Sequence, residues 1–238
     1  MGTYSNIVAR RIEWVPELGI FMAMLNGGPT NAFSISSATS VNGIAWRTDS
    51  NVFGTTSTGF GVAWNGTQFM LTGQGTNSTS QLNTLESSVD GIVITELGST
   101  IFTIIGNDVC WGVEYGRWVF GGQGANTEHS IHILSGVTVS YSPYSTAGFN
   151  CAARYTTVTP FIPSSGPVVY ADFVVSGVNV AINSLAYSMT GGRYWAPIGL
   201  KYFNSGGGVA YSPEQAKWIA TGSGGLVAAS STDGIVII

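Results

Sequence analysis

Charged groups are scarce enough in this chain to be taken one by one. Its 238 residues hold 8 basic and 12 acidic side chains, and Lys201 and Lys217 are the lysines. A hydrolase of acidic sugars needs arginines converging on one carboxylate, which the planar guanidinium binds through two parallel hydrogen bonds. The arginines available are Arg10, Arg11, Arg47, Arg117, Arg154 and Arg193. Arg154 and Glu114 each stand one residue before a tyrosine, Tyr155 and Tyr115, and are the candidates for a cross-channel ion pair. Glycoside hydrolysis needs two carboxylates across one bond. Asp90 and Asp233 are assigned to turns by the glycine after each, while Asp49, Asp108, Asp172 and Glu96 fall in or near connections and form no pair by spacing.

Other reactive side chains point away from catalysis. His129 and His132, three apart in a strand, would face opposite ways, so no metal is expected. Cys110 and Cys151 lack metal-ligand spacing and read either as one disulfide or as two buried thiols. No Gly-x-Ser-x-Gly elbow precedes a helix, so no serine nucleophile is marked. No cofactor is expected. Sugar binding is the sharper possibility. Gln74 and Asn77 recur one repeat later as Gln123 and Asn126, and Trp64 and Trp118 supply aromatic faces for pyranose rings. The same Thr and Asn residues also read as ordinary turn and strand-end groups. Asn65-Gly66-Thr67 and Asn77-Ser78-Thr79 are glycosylation sequons, the first of which reads better as a turn.

These groups must be positioned by a repeat. The clearest copies are GVAWNGTQFMLTGQGTN (61–77) and GVAYSPEQAKWIATGSGG (208–225), with weaker ones at 12–31, 112–127 and 152–167. Two aromatic positions recur, first as Trp14, Trp64, Tyr115, Tyr155 and Tyr211, then as Phe21, Phe69, Trp118, Phe161 and Trp218. Downstream come the turn signals Val41-Asn42-Gly43, Val89-Asp90-Gly91, Leu134-Ser135-Gly136, Val175-Ser176-Gly177 and Thr232-Asp233-Gly234. Asn-Gly and Asp-Gly favour two-residue hairpins in which both central residues have φ > 0. Each unit is therefore four antiparallel strands of about 48 residues, within the ~40–50 period of propeller blades. The expectation is an all-β, five-bladed β-propeller forming one domain over 1–238, with repeats at 8–50, 51–97, 98–142, 143–185 and 186–238. Pro160, Pro163 and Pro167 make the fourth repeat the most divergent, since proline cannot donate to a sheet ladder.

Composition excludes further classes. Charged residues are 8% of the chain, against roughly 25% in an ordinary soluble domain. A net charge of −4 with no basic run excludes a nucleic-acid binder. No apolar run approaches the ~20 residues of a membrane span, so no membrane insertion is expected. Met1 to Arg11 shows no apolar signal-peptide core.

The segments Ser40-Val41-Asn42-Gly43-Ile44-Ala45-Trp46, Ser88-Val89-Asp90-Gly91 and Ser231-Thr232-Asp233-Gly234 resemble the Asp-box hairpins of sialidase-type propellers. The wider pattern is similar to repeat proteins of phages and large DNA viruses, which implies a virion-surface or fibre-associated role. A strict Asp-box has one more residue between Asp and Gly and a closing Trp, which here only Trp46 supplies. The Arg-Ile-Pro of sialidases is missing, since Phe161-Ile162-Pro163 lacks the arginine, and five repeats are one short of that family's ring. The resemblance carries a structural signature and no catalytic residue.

The expected function is non-catalytic surface contact: a virion-surface or extracellular decoration, attachment or scaffold protein. Its partners would be other virion or surface proteins, and glycans if the loops bind them. A carbohydrate-binding lectin with repeated loop sites is the alternative, and a glycoside hydrolase the second alternative.

Overall fold

A computed structural model describes residues 7–27, 35–49, 52–76, 81–99, 101–124, 131–135, 138–142, 147–153, 171–178, 184–191, 194–198 and 203–235. The chain is all-β, and its strands form five antiparallel sheets. The first holds β1 (Ile7–Val15), β2 (Ile20–Gly27), β3 (Ser37–Ser40) and β4 (Arg47–Asp49) in chain order. The second holds β5 (Thr55–Trp64), β6 (Phe69–Thr76), β7 (Leu82–Ser88) and β8 (Ile94–Gly98). The third comprises β9 (Ile105–Gly112), β10 (Arg117–Gln123), β11 (Ile131–Ser135) and β12 (Thr138–Ser142). The fourth comprises β13 (Ala147–Ala153), β14 (Phe173–Val178), β15 (Leu185–Ser188) and β16 (Ala196–Pro197). The fifth has three described strands, β17 (Ser205–Ser212), β18 (Lys217–Ser223) and β19 (Ala228–Ser231). Among the described residues no helix is long and apolar enough to cross a membrane.

The contacts divide the chain into two compact units, Met1–Val109 and Cys110–Ile238. In the first, Val15, Met22 and Met24 of one sheet pack with Val52, Phe53, Val62, Phe69 and Leu71 of the next. Burying such side chains contributes ~1.5–3 kcal/mol each, which is what holds two sheets face to face. In the second unit, Val174, Leu185 and Phe203 pack with Val209, Trp218 and Ala220.

Aromatic pairs staple the first hairpin of the first, second and fifth sheets, as the repeat implied. Trp14 opposes Phe21, Trp64 opposes Phe69, and Tyr211 opposes Trp218, with ring centroids 4.4, 4.7 and 4.8 Å apart. In the third sheet the partner of Trp118 is Trp111, at 4.8 Å, and not the expected Tyr115. Val113–Tyr115 form a short 3-10 turn instead, so this hairpin has the same four-residue connection as its neighbours. The Val-Glu-Tyr-Gly run mimics a strand end by composition, and that shifted the alignment by four residues.

The fourth repeat also departs from the expected register. Ala153 pairs with Phe173, so Val175-Ser176-Gly177 lies inside β14 and is no turn. Its turn is Ser188-Met189-Thr190-Gly191, where Thr190 replaces the Asx residue and its N–H donates to the Ser188 hydroxyl. The sheet consequently extends to Pro197, past the expected limit at 185. The prolines that displaced this reading, and Tyr155 and Phe161 with them, lie outside the described residues.

The Asx-Gly turns are longer than the two-residue hairpins expected, and in them only the glycines Gly43, Gly91 and Gly234 take positive φ, at 70°, 73° and 75°. The acidic or amide side chain does the work that backbone strain would otherwise do. Asp90 Oδ1 accepts from the N–H groups of Ile92 and Val93, both at 2.8 Å, and the Ser88 hydroxyl accepts from Gly91 N–H. Asn42 accepts from Ile44 and Ala45 in the same way, and Asp233 from Ile235. Such side-chain-to-backbone bonds make an Asx turn without a left-handed Asx residue.

A second repeated device was not visible in the sequence. In the first, second and fourth sheets the hydroxyl four residues before the turn serine grips the segment leading into the next sheet. Ser36 Oγ donates to the Val52 carbonyl, Thr84 Oγ1 to the Phe102 carbonyl, and Ser184 Oγ accepts from Phe203 N–H. Phe53, Phe102 and Phe203 are fully buried beside these clasps.

Candidate functional site

The residues proposed for sugar binding do not assemble. Gln74 pairs with Thr58 at one end of β5–β6, whereas Trp64 pairs with Phe69 at the other. Five residues of strand, about 17 Å, separate them. Trp118 and Gln123 are likewise five apart on β10, and Trp118 is only 4% exposed, packed on Trp111 and Phe120. A core tryptophan offers no face to a ligand. Gln74 is exposed and Gln123 half-buried, while Asn77 and Asn126 lie outside the described residues.

Glu114 sits in the exposed 3-10 turn after β9, and Arg154 lies outside the described residues. The position one residue before the first aromatic, with the alignment corrected, belongs in the first sheet to Glu13. Arg11, Glu13 and Asp108 interact within the first unit. Asp108 is buried and its carboxylate stands 3.6 Å from the Arg11 guanidinium. Burial pushes the Glu13 carboxyl above its ordinary value; Arg11 pulls it down and the Asp108 charge pushes it further up. A carboxyl raised by burial beside an ion pair is the raw material of a general acid. Sequence spacing could not pair Glu13 with Asp108, because the sheets that carry them are separated by a whole repeat.

The other described arginines are occupied differently. Arg10 lies 5.7 Å from the Phe60 ring centroid, and Arg117 donates to the Gly191 carbonyl at 2.6 Å. In the second unit, buried Asp172 accepts from the Tyr115 hydroxyl and, at 2.8 Å, from Gly191 N–H. That network fastens the 3-10 turn to the fourth sheet's turn. Cys110 is a free, buried thiol. Among the described residues no three His, Cys, Asp or Glu side chains gather as a metal site would need.

The most unusual surface is at the Asx turns of the first unit. Val41 is 71% exposed and Ile44 75%, and Val89, Ile92 and Val93 are likewise held out in water. Asn42 and Asp90 bind the N–H groups of Ile44, Ile92 and Val93, so these apolar side chains stand on rigid backbone. Between the two turns runs a cleft of about 420 Å³, lined by Ile20, Val41, Trp46, Arg47, Asp90 and Ile92 among others. The Trp46 indole N–H donates to the Gly43 carbonyl at 3.1 Å, fixing a ring that remains 38% exposed.

Comparison with known proteins bears on the fold. Neither the protein-family models nor the curated proteins yield a match. Among solved structures the chain is similar to one from the crystal structure of a nidogen/laminin complex, with a TM-score of 0.56 and 10% identity, over 96% of this chain and 74% of that one. It is also similar to a chain of the mitotic checkpoint complex, with a TM-score of 0.55 and 10% identity, over 92% of this chain and 60% of that one. A thermostable family-43 glycoside hydrolase aligns over 97% of this chain and 86% of its own at 12% identity, but with a TM-score of 0.40 that carries no reading of the site. Likeness at this level of identity shows the fold alone, and that fold is a β-propeller.

Proposed function

We propose that the chain is a non-catalytic, five-bladed propeller acting by surface contact, as a decoration, attachment or scaffold protein on a virion or other extracellular surface. The supporting observation is the rigid display of Val41, Ile44, Val89, Ile92 and Val93 on the Asx turns of the first two sheets. Exposed apolar clusters on ordered backbone mark contact surfaces, and preorganised turns spare the ordering cost of binding. The low charge supports the same reading, because few ions need be desolvated when such a surface is covered. Site-specific photo-crosslinkers at Val41 and Val89, in the native source, are expected to join the chain to one surface-forming protein or assembly. Crosslinks spread evenly over many partners, or equal yields from a crosslinker at Glu214 on a different turn, would remove this reading.

One observation favours a hydrolase as the second reading: Glu13 is held towards its acid form beside the Arg11–Asp108 ion pair. Turnover of aryl glycosides that falls at least 100-fold in Glu13→Gln, with the fold intact, would place the chemistry there. Equal turnover in wild type and Glu13→Gln would eliminate it.

A further inference from the structure

The cleft between the first two Asx turns differs from the other described turns in having an exposed tryptophan on its wall. At the equivalent place the second repeat carries Ile94, and the tryptophan of the fourth, Trp195, is buried. We propose that this cleft binds a neutral saccharide, with the exposed face of Trp46 as the stacking platform and Arg47 and Asp90 as hydroxyl partners. The inference rests on the contact reading above and names the ligand chemistry for one part of that surface.

Four observations carry it. The volume, about 420 Å³, falls in the ~300–1,000 Å³ range of small-molecule sites. The indole is fixed on one edge by the Gly43 carbonyl and backed by Phe21, whose ring centroid lies 6.3 Å away. A tryptophan that is anchored yet open on one face suits a ligand with an apolar face and polar edges. Arg47 makes no ion pair with a described residue, so its donors are available in the cleft. Asp90 opposite it is held ionised, because the N–H groups of Val93 and Ile92 lower its pKa. One positive and one negative group in a confined cleft leave no net charge to attract an anion or a cation. They do supply hydrogen-bond donors and acceptors to a ligand rich in hydroxyls. Ile20, Val41 and Ile92 add apolar surface to the lining.

The test uses the full chain and ligand-observed saturation-transfer NMR with methyl glucoside, galactoside and mannoside, their neutral disaccharides, and sialyllactose. At least one neutral sugar should show transfer to its ring protons. That signal should be lost, by tenfold or more, in Trp46→Ala and in Arg47→Ala. It should persist within a few-fold in Trp46→Phe, which keeps an aromatic face but not the Gly43 bond. Asp90→Asn keeps the turn's acceptor and removes the charge, so it should weaken neutral sugars with the turn intact by amide-exchange protection. Transfer surviving in Trp46→Ala, transfer to sialyllactose in preference to neutral sugars, or no transfer at all would each overturn the proposal. Crosslinking at Val41 and Val89 that continues while sugars fail would leave the contact reading standing and reject only the saccharide.

Discussion

Gly75→Ala is expected to destabilise the chain by about 3 kcal/mol or more, as an off-scale case of overpacking. A β-carbon at Gly75 would lie 2.1 Å from the Phe53 carbonyl oxygen and 2.9 Å from the Phe53 β-carbon. The obstacle is backbone, so no rotamer change can relieve it. Phe53 has little freedom to retreat. It holds φ = 64°, it is fully buried, and its N–H is bound by Glu86 at 2.8 Å while Val52 beside it is clasped by Ser36. The alternatives are to shift β6 away from this junction or to break the junction, and either opens the Val52–Phe53–Leu71 packing. Denaturant titration of wild type and variant gives the difference directly. Gly208→Ala is the control, because its nearest neighbour would be the Thr221 hydroxyl at 3.3 Å, and it should change stability by less than ~1 kcal/mol. A Gly75→Ala protein as stable as the control would show that the segment before β5 moves freely, contrary to the tight junction described here.

That junction also shows where reading from sequence stops. Periodic aromatics and Asx-Gly signals placed three of the five sheets to within a few residues, because cross-strand pairs such as Trp64–Phe69 and turns such as Ser88–Gly91 are local in the chain. Where a local signal was counterfeit, the register slipped. Val113–Tyr115 looked like a strand end, and Thr190 performs a role normally betrayed by Asn or Asp. What could not be read were contacts between repeats. Glu13 meets Asp108 across a full repeat, Ser36 meets Val52, and Glu86 meets Phe53, none of them at a spacing that composition or periodicity marks. The Trp46 cleft was half legible: the tryptophan stood out as the one retained in a turn motif, but Asp90 and Ile92 come to it from the following repeat. Candidate sites in this chain therefore lie where two repeats meet, and a reading confined to one repeat looks for them in its loops.

Glu86→Gln is expected to stabilise the protein increasingly as pH rises, and to leave it nearly unchanged near pH 5. The third strands of the first, fourth and fifth sheets carry alanine at the equivalent place, Ala38, Ala186 and Ala229, and each is buried. Glu86 is fully buried too. Its Oε1 accepts from Phe53 N–H and from the Asn83 amide at 2.7 Å, while Oε2 has no partner. Burial is the main reason its pKa rises from 4.5 to about 8; the charges of Glu96 and Asp49 add to the rise, and the Phe53 and Asn83 bonds oppose it. The folded chain therefore keeps this proton over a range in which the unfolded chain has lost it. Stability is full below pH ~4.5 and falls by about 1.4 kcal/mol per pH unit up to pH ~8, where the folded carboxyl also ionises and the loss levels off. Glutamine retains the Oε1 acceptor for Phe53 and Asn83 and has no proton to lose, so this component of the pH dependence disappears. Glu13, raised in the same direction, persists in both proteins and cancels in the comparison. In thermal melts from pH 5 to pH 8 the gap between variant and wild type should widen by roughly 3–6 °C per pH unit. Parallel melting curves across that range would mean that Glu86 ionises in the folded chain near its ordinary value. A cation or ordered water at the bare Oε2 would then have to supply the partner that this packing withholds.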